Sequence, residues 1–395
     1  MAISTTPSVP LNRLDELYLT LDHGGEPWNV HFEVHHRGRM DPDRLVEAIR
    51  AAALRHPLAR ARLGDWRYSD RGYRWEIAAA LVEVPLEIVA CADEGAVAAA
   101  RERLLSRSPA LDAAPPFTML LAQGPDGDTV VLNLHHAAGD GIAAARLMLS
   151  VLRAYAGADD PVPPLDPLAV RDVRALAGSA SFAERLVRFR ALAQHAARQW
   201  SPPARVAADG GADRPGYGVE LLALSRADTA DVAARRTDVT TVNDVLLAAL
   251  AIAVRRWNDE HGRSSRRIAL SMPINVRPPE WRTEVVGNFA TYVTVSCSAA
   301  EDLPSALEDI GRQTRAIKRD GLAGLVVDLL AGYSTLTIAS KRQLPSLLVL
   351  TGDVAIDTVS LSNLGTLAPA GDDVDAVWFS PPGRMPLGAA IGVVT

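Results

Sequence analysis

The chain has 395 residues, of which 48% are hydrophobic and 22% charged, and its formal net charge is −6. At about 150 residues per domain, this length predicts two or three domains or one large two-lobed unit, and the composition excludes a disordered chain. Because no basic block occurs, we expect no nucleic-acid partner. The two cysteines, Cys91 and Cys297, are too few and too far apart for a disulfide framework or a cysteine metal cluster, which indicates a reducing cytoplasm.

Neither a secretory signal nor a membrane span is predicted. Residues 1–16 lack a basic segment followed by an apolar run. No window reaches the ~18 uncharged apolar residues that a span needs. Residues 242–254 are interrupted by Asn243 and Asp244, and residues 322–340 by Asp328. We therefore expect a soluble, cytoplasmic protein.

Short strands and helices alternate along the first third of the chain. Residues 28–34 carry apolar side chains at every second position, which predicts a half-buried strand. Asp41-Pro42 opens a helix that we expect to reach about residue 55, since proline suits the first helical turn. Further strands are predicted over 60–77 and 82–89, a helix over 93–106, and a hairpin of 117–121 with 129–134.

Two loops mark the middle of the chain. Residues 157–164 are polar and proline-rich, and residues 201–216 form a second loop, so together they bracket the best candidate for a lobe boundary. The helix predicted over 241–260 is apolar nearly all round until Arg255, so we expect it to be buried. The remaining predictions are a helix over 181–200, strands over 268–276, 290–297, 358–361 and 376–380, and a strand-like run over 387–395.

The sequence HHAAGDG, His135 to Gly141, stands between the predicted hairpin and a helix expected over 142–156. One interpretation is a polar loop in which Asp140 caps that helix. A metal site is less compatible, because adjacent residues on an extended segment face opposite sides. The spacing better suits one imidazole facing a cavity and the other the scaffold, with Asp140 ordering the turn and Gly141 permitting it.

The other histidines do not repeat this pattern. After His35-His36 the aspartate is Asp41, one residue later than in the HHxxxDG spacing, and no glycine follows it. We therefore interpret the pair as strand and edge residues. The isolated histidines are expected in surface or structural roles: His23, His56, His195 and His261. Phosphate-loop, GxGxxG, GxSxG and HExxH motifs are absent from the sequence, which disfavours ATP hydrolysis, dinucleotide chemistry, serine hydrolysis and zinc proteolysis.

At HHxxxDG the chain resembles the superfamily of condensation domains and coenzyme-A-dependent acyltransferases. This superfamily takes in chloramphenicol-acetyltransferase-like enzymes, peptide synthetase condensation domains, polyketide-associated acyltransferases and bacterial wax ester synthases. Further segments fall in the family's order: 45–60, Pro115-Pro116-Phe117, Asn243-Asp244, Pro273 to Arg277, Gly287-Asn288-Phe289 and Ser362-Asn363-Leu364-Gly365. The chain departs from the family's pattern at two motifs. DFGWG is absent, and SNxPG is only partly matched by Ser362-Asn363-Leu364-Gly365.

The resemblance implies a role for each matched residue. His136 would be the general base, with His135 and Gly141 completing the motif. Asp140 would be structural and pair with Arg277. The alternative for Arg277 is an ordinary arginine on the surface.

Three further positions are candidates for contact with substrate or a developing oxyanion. Ser362 and Asn363 would lie across the channel, with an ordinary turn after a strand as the alternative. Asn288 has the alternative of satisfying backbone groups. Asn243 is not among these three: it belongs to the matched Asn-Asp pair, with helix capping as its alternative.

The implied fold is α/β, with two chloramphenicol-acetyltransferase-like lobes in a pseudo-twofold V. Residues 1–165 would form the lobe carrying HHxxxDG and residues 166–395 the other, with a channel between them and His136 near its middle. Periodicity alone supports only a mixed α/β chain.

The implied activity is acyl transfer from a thioester to an amine or hydroxyl, in bacterial specialised metabolism such as nonribosomal peptide synthesis. The donor would be acyl-CoA or the phosphopantetheine thioester of an acyl or peptidyl carrier protein, and the acceptor a small molecule. No tightly bound cofactor or metal is implied. Two alternatives stay open: a non-catalytic docking protein, and a condensation-like epimerase or cyclase in which the same histidine moves a proton.

Overall fold

The structure is a computed structural model. It describes residues 7–22, 26–198, 201–210, 218–298, 302–343, 356–367, 371 and 373–395, without the side chains of 194–198. His23 and the side chain of His195 lie outside this part of the chain.

Helices and strands alternate through both halves of the described chain. The helices are α1 (Arg13–Leu21), α2 (Pro42–Arg55), α3 (Glu94–Leu105), α4 (Gly141–Ala156), α5 (Val173–Ala177), α6 (Phe182–Arg198), α7 (Arg226–Ala234), α8 (Val242–Glu260), α9 (Leu303–Arg319) and α10 (Ala323–Tyr333). The strands are β1 (Ser8–Pro10), β2 (Asn29–His36), β3 (Ala61–Leu63), β4 (Arg74–Ile77), β5 (Leu86–Ala90), β6 (Phe117–Gln123), β7 (Asp128–His135), β8 (Ile268–Asn275), β9 (Ala290–Cys297), β10 (Val359–Asn363), β11 (Val374–Ser380) and β12 (Ala390–Val393).

Three sheets organise these strands in the described residues. A five-stranded sheet has the order β11-β2-β7-β6-β5, a four-stranded sheet the order β12-β10-β8-β9, and a small sheet the order β1-β4-β3. The mixed α/β class predicted from the sequence is confirmed.

The first large core lies between the five-stranded sheet and helices α2 and α4. Alternate residues of β2, namely Val30, Phe32 and Val34, are buried against this layer, as the period of two predicts. Leu45 and Ile49 of α2 belong to the same core at helical spacing. Each such side chain contributes about 1.5–3 kcal/mol when fully buried.

The second large core lies between the four-stranded sheet and helices α8 and α9. Here α8 differs from the prediction, because only one face is buried, with Val245, Ala248 and Ala251 at helical spacing. Ala249 and Ala253 on the other face are exposed. The sheet covers one side of α8, and small alanines tolerate water on the opposite side at little cost.

The C-terminal region contributes a strand to the first sheet. β11 pairs antiparallel with β2, with Phe379 opposite Phe32. A division at residue 165 therefore leaves one strand of the first sheet in the second half of the chain. The boundary itself stays a prediction, as do the pseudo-twofold relation and the channel between lobes.

Several local predictions need correction. Residues 60–77 hold two short strands, β3 and β4, rather than longer ones, and the strand predicted from residue 82 begins at Leu86, since Val82 is exposed. The last strand is confined to β12. His35 and His36 end β2, an interior strand between β11 and β7, so they are not on an edge strand.

Among the described residues, no helix combines the length and the apolar character that a membrane crossing requires.

Helix α1 was not predicted from the sequence. It carries side chains that reach the HHxxxDG loop, so its placement bears directly on the site.

Candidate functional site around His136

The HHxxxDG loop joins strand β7 to helix α4. β7 ends at His135 and α4 begins at Gly141, which matches the predicted strand-loop-helix order. Asp140 is the N-cap of α4, and its Oδ1 accepts a hydrogen bond from the Ala143 backbone N–H at 3.0 Å. This is the geometry in which an aspartate satisfies an orphan donor of the first helical turn.

Asp140 also forms a buried ion pair with Arg277. Arg277 Nη1 donates to Asp140 Oδ2 at 2.8 Å, and Nη2 donates to Oδ1 at 2.9 Å. The Phe289 N–H donates to Oδ2 at 2.9 Å, and Arg277 Nη2 also reaches the Gly287 carbonyl at 2.8 Å. The pairing implied by the resemblance is therefore present. Arg277 is buried, so the surface-arginine alternative does not hold.

His135 faces the scaffold. Its Nδ1 accepts from the Ala137 N–H at 3.1 Å, so Nε2 carries the proton and donates to Asp22 Oδ2 at 2.9 Å. Burial opposes ionisation of Asp22, but hydrogen bonds from His135, the Trp28 N–H and the Ser108 hydroxyl outweigh it and lower the pKa of that carboxyl. His135 therefore fixes the loop and is not free to act on a ligand.

His136 lies on the other side of the loop and is 7% exposed. The Tyr18 ring of α1 stacks on the imidazole with 3.8 Å between centroids, and its hydroxyl donates to the Ala290 carbonyl at 2.8 Å. Burial lowers the pKa of His136 to about 4, so the ring is neutral at neutral pH. Tyr18 therefore covers one face of the imidazole, and the opening of His136 to a channel stays a prediction.

Asn288 contacts His136 rather than an open cavity. Its side chain is fully buried. Nδ2 donates to the carbonyl oxygens of His136 and Ala137 at 2.7 and 2.9 Å, and the His136 Nδ1 lies 3.2 Å from Asn288 Oδ1. The predicted contact of Asn288 with substrate or an oxyanion is replaced by the alternative, satisfaction of backbone groups, since the amide hydrogens are already used.

Gly141 permits a close approach of side chains rather than a turn. It is absent from the glycines with positive φ. A Cβ at this position would lie 2.7 Å from the Phe379 ring of β11 and 2.9 Å from Leu364 Cδ2. The missing side chain therefore lets β11 and the end of β10 pack against the start of α4.

Ser362 and Asn363 end strand β10, two residues or fewer from Leu364. Asn363 Oδ1 accepts from the Gly365 N–H at 2.8 Å, which is the turn that the sequence left as the alternative. Ser362 is buried. Among the described residues no hydrogen bond joins either side chain to His136, so their contact with substrate stays a prediction.

The helix start near Asn243 is capped by another residue. Thr241 and Asp244 form a capping box, whereas Asn243 Nδ2 lies 3.6 Å from Met272 Sδ.

The isolated histidines behave as expected where the structure describes them. His56 bonds to the Ser150 hydroxyl at 2.8 Å, and His261 Nδ1 to the Trp257 carbonyl at 2.7 Å.

Sequence reasoning missed the residues that α1 brings to the site. Asp15 is fully buried and accepts from Asn288 Nδ2 at 3.1 Å, and Tyr18 covers His136. A signal was present, because Asn12 and Asp15 form a capping box at the start of α1. That pattern predicts a helix but not which face of it meets the motif.

No family model matches the chain. Two uncharacterized proteins of Mycobacterium tuberculosis, MT2362 and Rv2305, are each 38% identical over 401 residues, covering 98% of this chain and 91% of the relative. The chain belongs to the family of these mycobacterial proteins.

Solved structures show which fold the chain has. The first condensation domain of the CDA synthetase matches with a TM-score of 0.70 at 16% identity, covering 98% of this chain and 89% of that one. The epimerization domain from the third module of tyrocidine synthetase B gives 0.62 at 18%, covering 95% and 83%. The starter condensation domain of rhizomide synthetase, solved with C8-CoA and Leu-SNAC, gives 0.60 at 17%, covering 92% and 79%. The condensation-domain fold implied by the HHxxxDG resemblance is confirmed.

The site of this family member offers one neutral imidazole inside a fixed network of hydrogen bonds. Among the described residues no group of three or more His, Cys, Asp or Glu side chains is arranged to hold a metal ion.

Proposed function

We propose that the protein transfers an acyl group from a thioester to an amine or hydroxyl, with His136 as general base. The observation that carries the proposal is the environment of His136 within HHxxxDG. The ring is neutral at neutral pH, and Asp140 and Arg277 fix the loop on which it stands. A base must be unprotonated to accept a proton, and a buried neutral imidazole meets that condition.

The proposed step balances without a covalent enzyme intermediate. His136 takes the proton from the attacking N–H or O–H as the acceptor heteroatom bonds to the thioester carbonyl carbon. When the tetrahedral intermediate collapses, the C–S bond breaks and the imidazolium returns the proton to the leaving thiolate. A positioned imidazole contributes about 10²–10⁴-fold by this route. Holding both substrates together supplies further acceleration through proximity.

Two thioester donors fit this chemistry. The rhizomide starter condensation domain was solved in complex with C8-CoA and Leu-SNAC, which supports testing both CoA and SNAC compounds as donors here. We place the reaction in bacterial specialised metabolism in the cytoplasm, with a small-molecule acceptor and acyl-CoA or a carrier-protein phosphopantetheine thioester as co-substrate. Ser362 and Asn363 remain the candidates for contact with substrate.

A second candidate is epimerisation, in which His136 moves a proton without transferring an acyl group. The match to an epimerization domain, with a TM-score of 0.62, favours keeping it. The two activities differ in the product: acyl transfer changes the mass of the acceptor, whereas epimerisation leaves mass unchanged and inverts a stereocentre.

The test is mass spectrometry of acyl-CoAs and acyl-carrier thioesters mixed with a panel of amines and alcohols. Wild type, His136→Ala and His56→Gln are compared, since His56 is another buried histidine whose partner is Ser150. We expect an acylated product that is lost in His136→Ala and retained in His56→Gln. A product formed equally well by His136→Ala contradicts the assignment of the base. No product with any donor, and no change of stereochemistry, favours a docking protein.

A further inference from the structure

The hydrogen bonds of Asn288 fix the orientation of its side-chain amide. Nδ2 lies within hydrogen-bond distance of three acceptors: the carbonyls of His136 and Ala137 and the carboxylate Oδ1 of Asp15, at 2.7, 2.9 and 3.1 Å. A flipped amide would direct its oxygen at the carbonyl oxygens of His136 and Ala137, which cannot donate to it. The amide nitrogen must therefore occupy this position, and Oδ1 must face His136.

This orientation determines which ring nitrogen of His136 carries the proton. Asn288 Oδ1 only accepts, and His136 Nδ1 lies 3.2 Å from it. Nδ1 must therefore be the donor in the neutral ring, which leaves the lone pair on Nε2. The adjacent His135 has the opposite tautomer, because its Nδ1 accepts from the Ala137 N–H.

Asp15 anchors the amide from the far side. In the part of the chain that the structure describes, the Asp15 carboxylate accepts from four donors: Asn288 Nδ2, the Asn12 N–H at 3.0 Å, Trp75 Nε1 at 3.1 Å and Arg171 Nη2. Asp15 is fully buried, so its carboxylate cannot exchange these partners for water. The Asn12 side chain also donates to the Asn288 carbonyl at 3.1 Å, which ties the same turn of α1 to this residue.

We propose that Asp15 and Asn288 are positioning residues. Asp15 holds the side-chain amide of Asn288, and that amide holds His136 in the Nδ1–H tautomer. Nε2 is then the atom that accepts the substrate proton. The catalytic meaning of this arrangement rests on the proposed function, whereas the tautomer itself does not. The arrangement corresponds to a carboxylate orienting an imidazole, with an amide between them.

The first test reads the tautomer directly. ¹⁵N NMR of histidine-labelled protein at pH 7.5 distinguishes a protonated ring nitrogen from an unprotonated one, and His136→Ala identifies the His136 signals. We expect the proton on Nδ1 in wild type and its partial or complete transfer to Nε2 in Asn288→Ala. An Nε2–H tautomer in wild type overturns the proposal without any variant.

The second test is kinetic. We expect Asn288→Ala to lower kcat by about 10²-fold or more with little change in KM, because the wrong tautomer presents a proton instead of a lone pair. Asp15→Asn should also lower kcat, because its one amide oxygen is held by the three donors that bond to Asp15 Oδ2, and its NH2 group then faces Asn288 Nδ2. Equal losses of kcat without any change of tautomer, in folded protein, overturn the proposal in favour of a purely structural role.

Asn258→Ala is the matched control. Asn258 is also a fully buried asparagine with three hydrogen bonds: to the Ala207 N–H, the Arg205 carbonyl and the Ser265 hydroxyl. It lies on α8, outside the HHxxxDG network. We expect comparable destabilisation, an unchanged His136 tautomer and an unchanged kcat. A tautomer shift in this control as well overturns the proposal, because general loosening would then explain it. Wild-type activity in His136→Ala would refute the proposed function instead, and the tautomer measurement would still decide the positioning role.

Discussion

The HHxxxDG loop and the Ser362–Gly365 segment carry two of the motifs that the resemblance matched, yet their surroundings differ. Asp140 bonds to the start of α4, to Arg277 and to the Phe289 N–H, so distant parts of the chain meet at one carboxylate. Asn363 bonds to Gly365 within its own turn. Leu364 is the residue of that segment that packs toward Gly141.

This difference shows what a motif reports. A residue with several buried partners is constrained by the network it holds, and its spacing in sequence reflects that network. A strand end whose side chain bonds within its own turn carries no such constraint from distant parts of the chain. The comparison predicts large losses of stability when the first region is changed and small ones in the second.

The largest expected effect follows removal of Arg277. In Arg277→Ala, Asp140 stays buried with its charge unpaired, and we expect the free energy of unfolding to fall by about 3–5 kcal/mol. Chemical denaturation measures it. Arg37→Ala is the control, because Arg37 pairs with Asp375 on the surface, and we expect a much smaller loss there. Equal losses in the two variants would contradict a buried pair.

The next effect follows from the close packing at Gly141. Gly141→Ala places a Cβ 2.7 Å from the Phe379 ring, and we expect a loss of about 1–3 kcal/mol from overpacking. Adding Phe379→Leu should restore part of the stability, because the shorter side chain leaves room. Gly332→Ala in α10 is the control, since nothing lies within 4 Å of its added Cβ. A neutral Gly141→Ala would show that β11 is not packed on the motif.

The third effect concerns pH. Burial lowers the pKa of His136 to about 4, against about 6.5 in an unfolded chain. Between these values the unfolded state binds a proton that the folded state does not, so the free energy of unfolding falls as pH drops below 6.5. The contribution is about 1.4 kcal/mol per pH unit for one group.

The comparison of wild type with His136→Gln isolates this contribution. His31 and His56, with pKa values lowered to about 3 by burial, act in the same direction, and Asp357, raised to about 6 by burial, acts in the opposite one. We expect wild type to lose about 1 kcal/mol more than His136→Gln between pH 7.5 and 5.5. Parallel stability curves would mean that His136 titrates normally.

The smallest effect belongs to the second region. Asn363→Ala removes the hydrogen bond to the Gly365 N–H and should cost about 0.5–1.5 kcal/mol, while Asn363→Ser retains an acceptor for the same turn. If the side chain serves the turn, kcat/KM in both variants stays near that of wild type. A tenfold or larger fall in kcat/KM in both, at unchanged stability in Asn363→Ser, would instead establish contact with substrate.

Local structure around the motif was predictable from the sequence. The alternation in β2, the hairpin of β6 and β7 and the cap at Asp140 follow from residues within a few positions of one another. The prediction for α8 was wrong about burial, because the apolar pattern shows which side chains tolerate a core but not which face a neighbour covers. The role expected of Asn288 changed because its amide hydrogens have partners elsewhere in the chain.

The sequence by itself determined the class of the fold, the strand-loop-helix position of HHxxxDG and the assignment of Asp140 to a cap, since periodicity and capping act over a few residues. The family resemblance added the pairing of Asp140 with Arg277. Only the tertiary structure decided what surrounds His136. Asn288 is 152 residues from His136, and Asp15 is 273 residues from Asn288. Hydrogen bonds over such separations depend on how α1, β7 and β9 pack, and no local pattern encodes that packing.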